Sequence, residues 1–304
     1  MQRTDRSNSA LRPLSISQGV LSRSDGSAQF SFGDVSVLTS VTGPVEVRLN
    51  KELVDQSTLE FNSTSLSSQS GPQVKATEET LSKLFKPLIL THLYPRSLIQ
   101  LTSQTTSLPS TSFSSEFSTT LVGDPSEPTA TKRRRKGGLG GMGEMAARIN
   151  STSLALIDSG VQLKGILVSV SVAYLESQDE EEEEMRLDPS VFEEEEAKSC
   201  HLFTVSYGQG VGGTEGTVVG IESRGKFNQD QLFKAEDVAL TATSKILAFV
   251  RKSIEAKYGV ENQPVAPTTT TRNEGGGMDK EIKMCVAEEG DDMSDDGDDD
   301  QVMI

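Results

Sequence analysis

The chain has 304 residues, enough for one large domain with a substantial core, but only 34% of them are apolar. This fraction is low for a wholly folded chain and predicts that part of the chain is unstructured. No apolar run approaches the roughly 20 residues that span a bilayer, and residues 1–6 contain no apolar signal segment. We therefore expect no membrane partner, and a protein of the nucleus or the cytosol.

The net charge of −16 is unevenly distributed along the chain. Residues 176–198 and 274–300 each contain 12 acidic and 2 basic side chains, so together they account for −20 and leave +4 for the rest. The acidity thus lies in segments that a core would not bury, and the remainder is mildly basic. The net charge therefore does not exclude a nucleic-acid function.

The N-terminal half predicts a strand-rich unit followed by a helix. Strands are predicted at 14–16, 36–41, 59–61 and 98–106, where apolar or β-branched runs lie between turns rich in Gly and Asp. A helix is predicted with Thr77 as its N-cap, and its apolar residues recur at helical spacing as far as Ile89.

The C-terminal half predicts two further helices and three strands. The first helix covers 145–157 and is rich in small residues, and the second opens at Asn228 with Gln231 at the capping-box position and ends near Tyr258. The strands are predicted at 166–174, 202–207 and 218–222.

These blocks predict one α/β (α+β) domain over residues 1–260, with mixed sheets flanked by helices. Two stretches, at about 109–143 and 176–198, have the composition of disordered insertions. Residues 261–304 are rich in Pro, Thr, Gly and acidic residues and predict a disordered acidic tail.

Several segments, read in order, resemble the RNase PH family. They are Arg12-Pro13-Leu14, Leu21 to Ala28, Val41 to Glu46, Leu59-Glu60-Phe61, Tyr94 to Ile99 and Leu154 to Leu163. Each segment alone is a weak signal, but their order and spacing over about residues 10–258 make the resemblance specific. It implies an RNase PH-like fold with a β-α-β-α arrangement, interrupted by the two insertions and followed by the tail.

Within this family, the short N-terminal region and the opening Arg-Pro resemble core-ring subunits of the eukaryotic RNA exosome. The resemblance implies a hexameric ring of paired RNase PH-type subunits, topped by S1/KH-type cap subunits, through which RNA passes to a nuclease docked elsewhere. It implies a non-catalytic structural role in 3′–5′ RNA processing and degradation, including rRNA maturation and mRNA decay. The implied location is the nucleus and nucleolus, and also the cytoplasm.

The alternative function is a phosphate-dependent 3′–5′ exoribonuclease. Phosphorolysis needs a cationic pocket for phosphate, and carboxylates that hold a metal or relay protons. In active family members a Gly-Thr/Ser-Arg segment supplies the phosphate pocket, but the corresponding residues 107–113 contain no arginine. Asp188 and Glu194 lie near the positions of two aspartates in active members. We interpret them as remnants of a degenerate site, and Asp188 before Pro189 is also typical of a turn.

Three groups of cations are candidate RNA contacts. In ring-forming relatives the loop after Gly43 points into the central pore, which makes Arg48 and Lys51 candidates, although both could be ordinary surface charges. Arg96 either faces a groove between subunits or is an exposed charge at a strand entry. A further basic run consists of Lys132, Arg133, Arg134, Arg135 and Lys136. Such a run serves nuclear import, contacts phosphate backbones or has no partner.

No metal or cofactor is predicted. His92 and His201 lack a second ligand at metal-binding spacing, and Cys200 and Cys285 lie far apart. The glycine-rich stretch 208–213 lacks the P-loop lysine and predicts a hairpin. The acidic runs leave a third function open, in which the chain is a chaperone for histones or ribosomal proteins and its tail is the functional part.

Overall fold

The computed structural model describes residues 6–66, 71–109, 141–176, 183–208 and 216–259, together with the strand Ile282–Met284. Within these residues the strands are β1 (Leu14–Gln18), β2 (Gly26–Phe32), β3 (Val35–Glu46), β4 (Thr58–Thr64), β5 (Ser97–Ser107), β6 (Ile166–Glu176), β7 (Glu183–Leu187), β8 (Ser199–Tyr207), β9 (Thr217–Gly225) and β10 (Ile282–Met284). The helices are α1 (Pro72–Phe85), α2 (Met142–Asp158), α3 (Val191–Glu196) and α4 (Gln229–Tyr258).

The strands form two sheets. The first has the order β10-β1-β2-β3-β5-β4 and is mixed, because β4 runs parallel to β5 while the other neighbours are antiparallel. The second has the order β7-β6-β8-β9 and is antiparallel throughout. Since β8 and β9 are consecutive antiparallel neighbours, the hairpin predicted around 208–213 is confirmed, although residues 209–215 lie outside the described part.

Helix α2 lies between the two sheets, in contact with β2 and β3 on one side and β6 and β8 on the other. Its residues are buried from Met142 to Leu156, and its small side chains allow this close packing. The polar residues of the helix are bonded to both sheets. Asn150 donates through Nδ2 to Ser169 O (3.0 Å) and accepts from Ser169 N (2.7 Å), while Ser151 Oγ lies 2.7 Å from Thr39 Oγ1. These bonds satisfy the polar groups that this helix carries into the core.

A buried arginine, paired with a glutamate of the same helix, joins α2 to the first sheet. Arg148 Nη2 lies 2.8 Å from Glu144 Oε1, and the side chain of Arg148 is only 4% exposed. The guanidinium also donates to Ser63 Oγ of β4 (2.6 Å) and to Ser103 Oγ (3.0 Å) and Thr105 Oγ1 (2.7 Å) of β5. One arginine thus connects the helix to two strands.

Helix α4 covers the outer face of the second sheet. Its buried face consists of Ala235, Ala239, Ala242, Thr243, Ile246, Leu247, Phe249 and Val250, together with Ser253. Thr243 Oγ1 lies 2.8 Å from Tyr207 Oη of β8. At the start of the helix, Gln231 Oε1 accepts from Asn228 N (2.6 Å), as the capping-box pattern predicted. The prediction of mixed sheets flanked by helices is confirmed. None of the helices in the described part of the chain has the length and apolar character needed to cross a membrane.

The prediction of a disordered insertion at 176–198 is wrong for residues 183–198, which form β7, α3 and the short connections that lead to β8. Two of the acidic residues share one cation, because Arg186 donates to Glu193 Oε1 and Glu184 Oε2, both at 2.8 Å. Glu193 Oε2 also accepts from Ser190 N (2.7 Å) at the start of α3. Residues 177–182 lie outside the described part.

The N-cap predicted at Thr77 is also wrong. Helix α1 begins at Pro72, whose missing N–H costs nothing in the first turn, and Gly71 is its N-cap. The hydroxyl of Thr77 instead donates to Gln73 O (3.1 Å) within the helix. The helix ends at Phe85, two residues before Pro87.

Two other predicted disordered segments are largely outside the described residues. In the stretch 109–143, residues 110–140 are not described, and Met142 and Gly143 form the first turn of α2. In the tail 261–304, the residues Ile282–Met284 form β10 antiparallel to β1, which contradicts the prediction for these three residues. Strand β1 presents an edge whose backbone groups pair with them.

Candidate functional site

The two predicted carboxylates, Asp188 and Glu194, both lie at the N-terminal end of α2. We call this cluster, which also contains Arg6, Arg12 and the first turn of α2 at Met142 and Gly143, the carboxylate site. Arg12 precedes β1, Asp188 follows β7, and Glu194 lies in α3. Three separate parts of the chain therefore build the site.

Asp188 is held by a buried two-pronged ion pair. Arg12 Nη2 donates to Oδ1 (2.6 Å), while Arg12 Nε and Arg12 N both donate to Oδ2 (2.9 Å each). The side chain of Asp188 is 1% exposed. Its backbone is in the left-handed region (φ 48°), and its N–H donates to Ser171 O of β6 (2.8 Å). The turn predicted before Pro189 is present, but it serves to direct a carboxylate into the core.

The pKa of Asp188 lies below its usual range. Burial by itself would raise this pKa, but the charge of Arg12 and the hydrogen bonds from it outweigh the burial, and the charge of Arg6 adds to them. Arg6 also donates to the backbone carbonyl of Asp188 (2.6 Å). This carboxylate is therefore ionised at neutral pH, and its oxygens face arginines.

Glu194 caps α2. Its Oε1 accepts from Gly143 N (2.7 Å) and its Oε2 from Met142 N (3.0 Å). The N-terminus of a helix attracts anions, because its first N–H groups have no partner within the helix. In this chain that anion is its own glutamate.

The pKa of Glu194 is raised to about 7. Burial is the main cause, and the charge of Asp188 adds to it, whereas the bonds from Gly143 and Met142 and the charge of Arg12 oppose it. The two carboxylates therefore have opposite preferences for a proton.

The free space in the carboxylate site is small. The described residues around it, which include Arg12, Leu108, Pro189 and Glu194, enclose a cavity of about 10 Å³. That volume holds no more than one water molecule. Phosphate could enter this arrangement only if Glu194 left the end of α2.

The sequence indicates the two carboxylates but not their partners. Arg12 belongs to a segment that resembles the family, no sequence pattern marks Arg6, and the first turn of α2 lies within a predicted insertion. In the segment 107–113, β5 ends at Ser107, Leu108 lines the cavity, and residues 110–113 are outside the described range.

The predicted cations Arg48, Lys51 and Arg96 lie at the other end of the first sheet, separated from the carboxylate site by the length of β5, about 35 Å. Arg48 is exposed. Lys51 Nζ lies 2.5 Å from Glu60 Oε1, and Arg96 Nε lies 3.4 Å from Glu52 Oε1. The structure thus gathers these three cations at one end of the sheet, and their contact with RNA stays a prediction.

The basic run 132–136 lies outside the described residues. In the described part no three His, Cys, Asp or Glu side chains are arranged to hold a metal ion. His201 is buried, which lowers its pKa to about 4, and its Nδ1 lies 2.8 Å from Ser223 Oγ. Burial raises the pKa of the neighbouring Cys200 to about 12. Both side chains belong to the core.

The fold and the site define a two-sheet α+β domain with an acidic cluster at the end of its central helix. The chain belongs to the RNase PH family, since the family model described as 3′ exoribonuclease family, domain 1, matches residues 10–162.

Individual relatives agree with this assignment. The chain is 28% identical over 237 residues to the exosome complex component RRP46 of Saccharomyces cerevisiae, a match that covers 78% of this chain and 93% of that protein. It is also 25% identical over 260 residues to the exosome complex component Rrp41 of Archaeoglobus fulgidus. That match covers 82% of this chain and 84% of that protein. The crystal structure of Rrp46 from rice superposes with a TM-score of 0.63 at 22% identity, over 83% of this chain and 98% of that one. The rice structure supports the fold.

Proposed function

We propose that this chain is a non-catalytic structural subunit of the core ring of an RNA exosome, which supports 3′–5′ RNA processing and degradation. Its partners are other RNase PH-type subunits in a hexameric ring, S1/KH-type cap subunits and RNA. The proposal is supported by membership of the RNase PH family and by two relatives, named exosome complex component RRP46 in yeast and exosome complex exonuclease RRP46 homolog in rice.

One observation carries the non-catalytic part of the proposal: both candidate catalytic carboxylates are used to hold the fold together. Asp188 is saturated by Arg12 and Arg6, and Glu194 occupies the end of α2 where an anionic substrate would bind. A carboxylate in that position competes with phosphate. It also repels phosphate electrostatically when it is ionised.

The test is a native pull-down of the tagged full chain at moderate salt, with identification of the proteins that co-purify. We expect a stoichiometric complex that contains other RNase PH-type chains. The purified chain is then incubated with RNA and inorganic phosphate, and we expect no release of nucleoside diphosphates. A homo-oligomer that releases nucleoside diphosphates would overturn the proposal in favour of an exoribonuclease that uses Asp188 and Glu194.

The location we propose is the nucleus and nucleolus, with a cytoplasmic fraction, and the basic run 132–136 supports it. The measurement is the nuclear share of a fluorescent fusion in which all five cations are changed to serine. We expect that share to fall while the same proteins co-purify with the chain. An unchanged distribution contradicts a role of this run in import.

A further inference from the structure

A groove lies at the C-terminal end of α2, on the side opposite the carboxylate site. Its walls are the loop from Gly160 to Lys164, the first residues of β6 and the segment of α4 that carries Leu247 and Arg251. We call it the Lys164–Arg251 groove. Its volume is about 480 Å³, within the range of clefts that bind ligands or peptide side chains.

At the floor of the groove the backbones of β6 and β8 approach each other closely, at two glycines. A Cβ on Gly165 would lie 2.4 Å from Tyr207 O, and a Cβ on Gly208 would lie 2.8 Å from Gly165 Cα. Gly208 also has a φ of 124°, which side chains of other residues rarely adopt. Only glycine therefore fits at these two positions, and the floor of the groove consists of backbone.

The groove combines an apolar lining with two cations at its rim. The apolar side chains are Ile157, Val161, Leu163, Ile166 and Leu247. Lys164 and Arg251 are both exposed, and the lining contains no Asp or Glu among the residues that the structure describes. The nearby Asp158 is engaged, since its Oδ1 lies 2.5 Å from Lys257 Nζ and its Oδ2 accepts from Ser27 N. The groove thus presents positive charge beside an apolar surface.

This combination favours a peptide over RNA. Proteins that bind single-stranded RNA stack its bases on exposed aromatic rings. The one aromatic residue of the lining, Tyr207, is 3% exposed, and its hydroxyl is bonded to Thr243. An aliphatic side chain fits the lining better, and a carboxylate next to it complements the cations.

We propose that the Lys164–Arg251 groove docks an extended segment of a neighbouring subunit, in which an aliphatic residue enters the groove and an adjacent Asp or Glu pairs with Lys164 and Arg251. The proposal rests on the proposed function, because the partner is a subunit of the same complex. It assigns a contact to a surface at the opposite end of α2 from the carboxylate site.

The test treats the purified complex, with the full-length chain in it, with a zero-length carbodiimide that couples a lysine amine to a carboxylate, followed by mass spectrometry. We expect Lys164 to be linked to an Asp or Glu of another subunit that has an aliphatic residue within two positions. In the Lys164→Arg complex the positive charge is kept, but this link disappears because arginine does not react.

A second measurement compares affinities for the linked subunit. We expect Lys164→Glu combined with Arg251→Glu to weaken binding about tenfold, through loss of two exposed ion pairs and new repulsion. Lys252→Glu is the matched control, since Lys252 is exposed beside Arg251 but does not line the groove, and it should bind like the wild type.

Three results overturn the proposal: absence of any link from Lys164 in an assembled complex, a link only to the acidic tail of the same chain, and a double variant that loses RNA cross-linking but keeps its protein partners. A wild-type chain that assembles with no RNase PH-type subunit overturns the proposed function instead. The two failures are therefore distinguishable.

Discussion

Asp188 and Glu194 lie six residues apart, yet their surroundings drive their protonation in opposite directions. Asp188 faces the guanidinium of Arg12 through both oxygens and is stabilised as an anion. Glu194 faces two backbone N–H groups and is buried without an arginine bonded to it, so burial dominates. The difference arises because a full positive charge compensates desolvation better than two amide dipoles do.

Glu194 should make stability depend on pH between about 4.5 and 7. Its pKa is about 7 in the folded chain, against an ordinary value of 4.5, so the folded state binds the proton more tightly. The contribution of protonated Glu194 to the free energy of unfolding is complete below pH 4.5 and is lost as pH rises through 7. At about 1.4 kcal/mol per pKa unit, this contribution amounts to about 3 kcal/mol. Unfolding free energies of wild type and Glu194→Gln, measured across this range, should show the slope only in the wild type. Parallel curves would contradict the prediction.

Asp188→Asn should destabilise the fold by about 3–5 kcal/mol, because it leaves the buried guanidinium of Arg12 without its counter-charge. Denaturant titration at pH 7 measures this loss. Asp237→Asn, at an exposed position on α4, is the control and should change stability by less than about 0.5 kcal/mol. Because the pKa of Asp188 is depressed, its contribution is present above about pH 4 and is lost as pH falls further. Equal effects of the two substitutions would argue against a structural role for the ion pair.

Among the elements, α2 has the most influence on the architecture. It packs against both sheets, and its N-terminus ends at the carboxylate site while its C-terminus borders the Lys164–Arg251 groove. A helix surrounded on all sides tolerates polar residues only where each one finds a partner. The network around Arg148 and the bonds of Asn150 meet this requirement.

Arg148→Ala should therefore cost about 3–5 kcal/mol, since Glu144 would be left buried without its charge partner and two strands would lose their bonds to the helix. The exposed pair Lys83–Glu79 on α1 provides the control, because it has the same i, i+4 spacing. Lys83→Ala should cost no more than about 0.5 kcal/mol. Thermal unfolding of the three proteins compares them, and a small effect at Arg148 would show that the network does not join the helix to the sheet.

Over the whole molecule, exposed cations lie at the end opposite the carboxylate site. Arg48, Lys164 and Arg251 are exposed there, whereas Arg6 and Arg12 at the carboxylate site are paired with Asp188. Exposed cations attract and orient anionic partners. The arrangement favours contact with anionic groups at the end that carries the cations.

Deletion of residues 261–304 separates the scaffold function from the chaperone function. The described buried residues lie between Arg12 and Ser253, and the deletion removes only β10 from the edge of the first sheet, so the truncated chain should fold and co-purify with the same RNase PH-type subunits. The measurement is the composition of the pull-down together with the melting temperature. Loss of histone or ribosomal-protein binding as the main defect, with the ring still assembled, would support the chaperone function instead.

Local patterns predicted most of the fold. The alternation of residues 98–106 indicated β5, the small-residue pattern of 145–157 indicated α2, and the capping pair Asn228 and Gln231 marked the start of α4. These features depend on neighbours a few residues apart, which the sequence displays directly. The acidic segment misled the prediction because the charge of Arg186 acts on Glu184 and Glu193 only after the chain has folded.

The carboxylate site, like the fold, has features that the sequence predicts and features that depend on contacts between distant residues. The family resemblance, two carboxylates near the expected positions and a set of cations can be read directly from the residues. What the carboxylates do depends on tertiary contacts, because Arg12 is 176 residues from Asp188 and the first turn of α2 is about 50 residues from Glu194. Hydrogen bonds and burial between such distant residues follow from how the sheets pack on α2, and no local pattern records that packing.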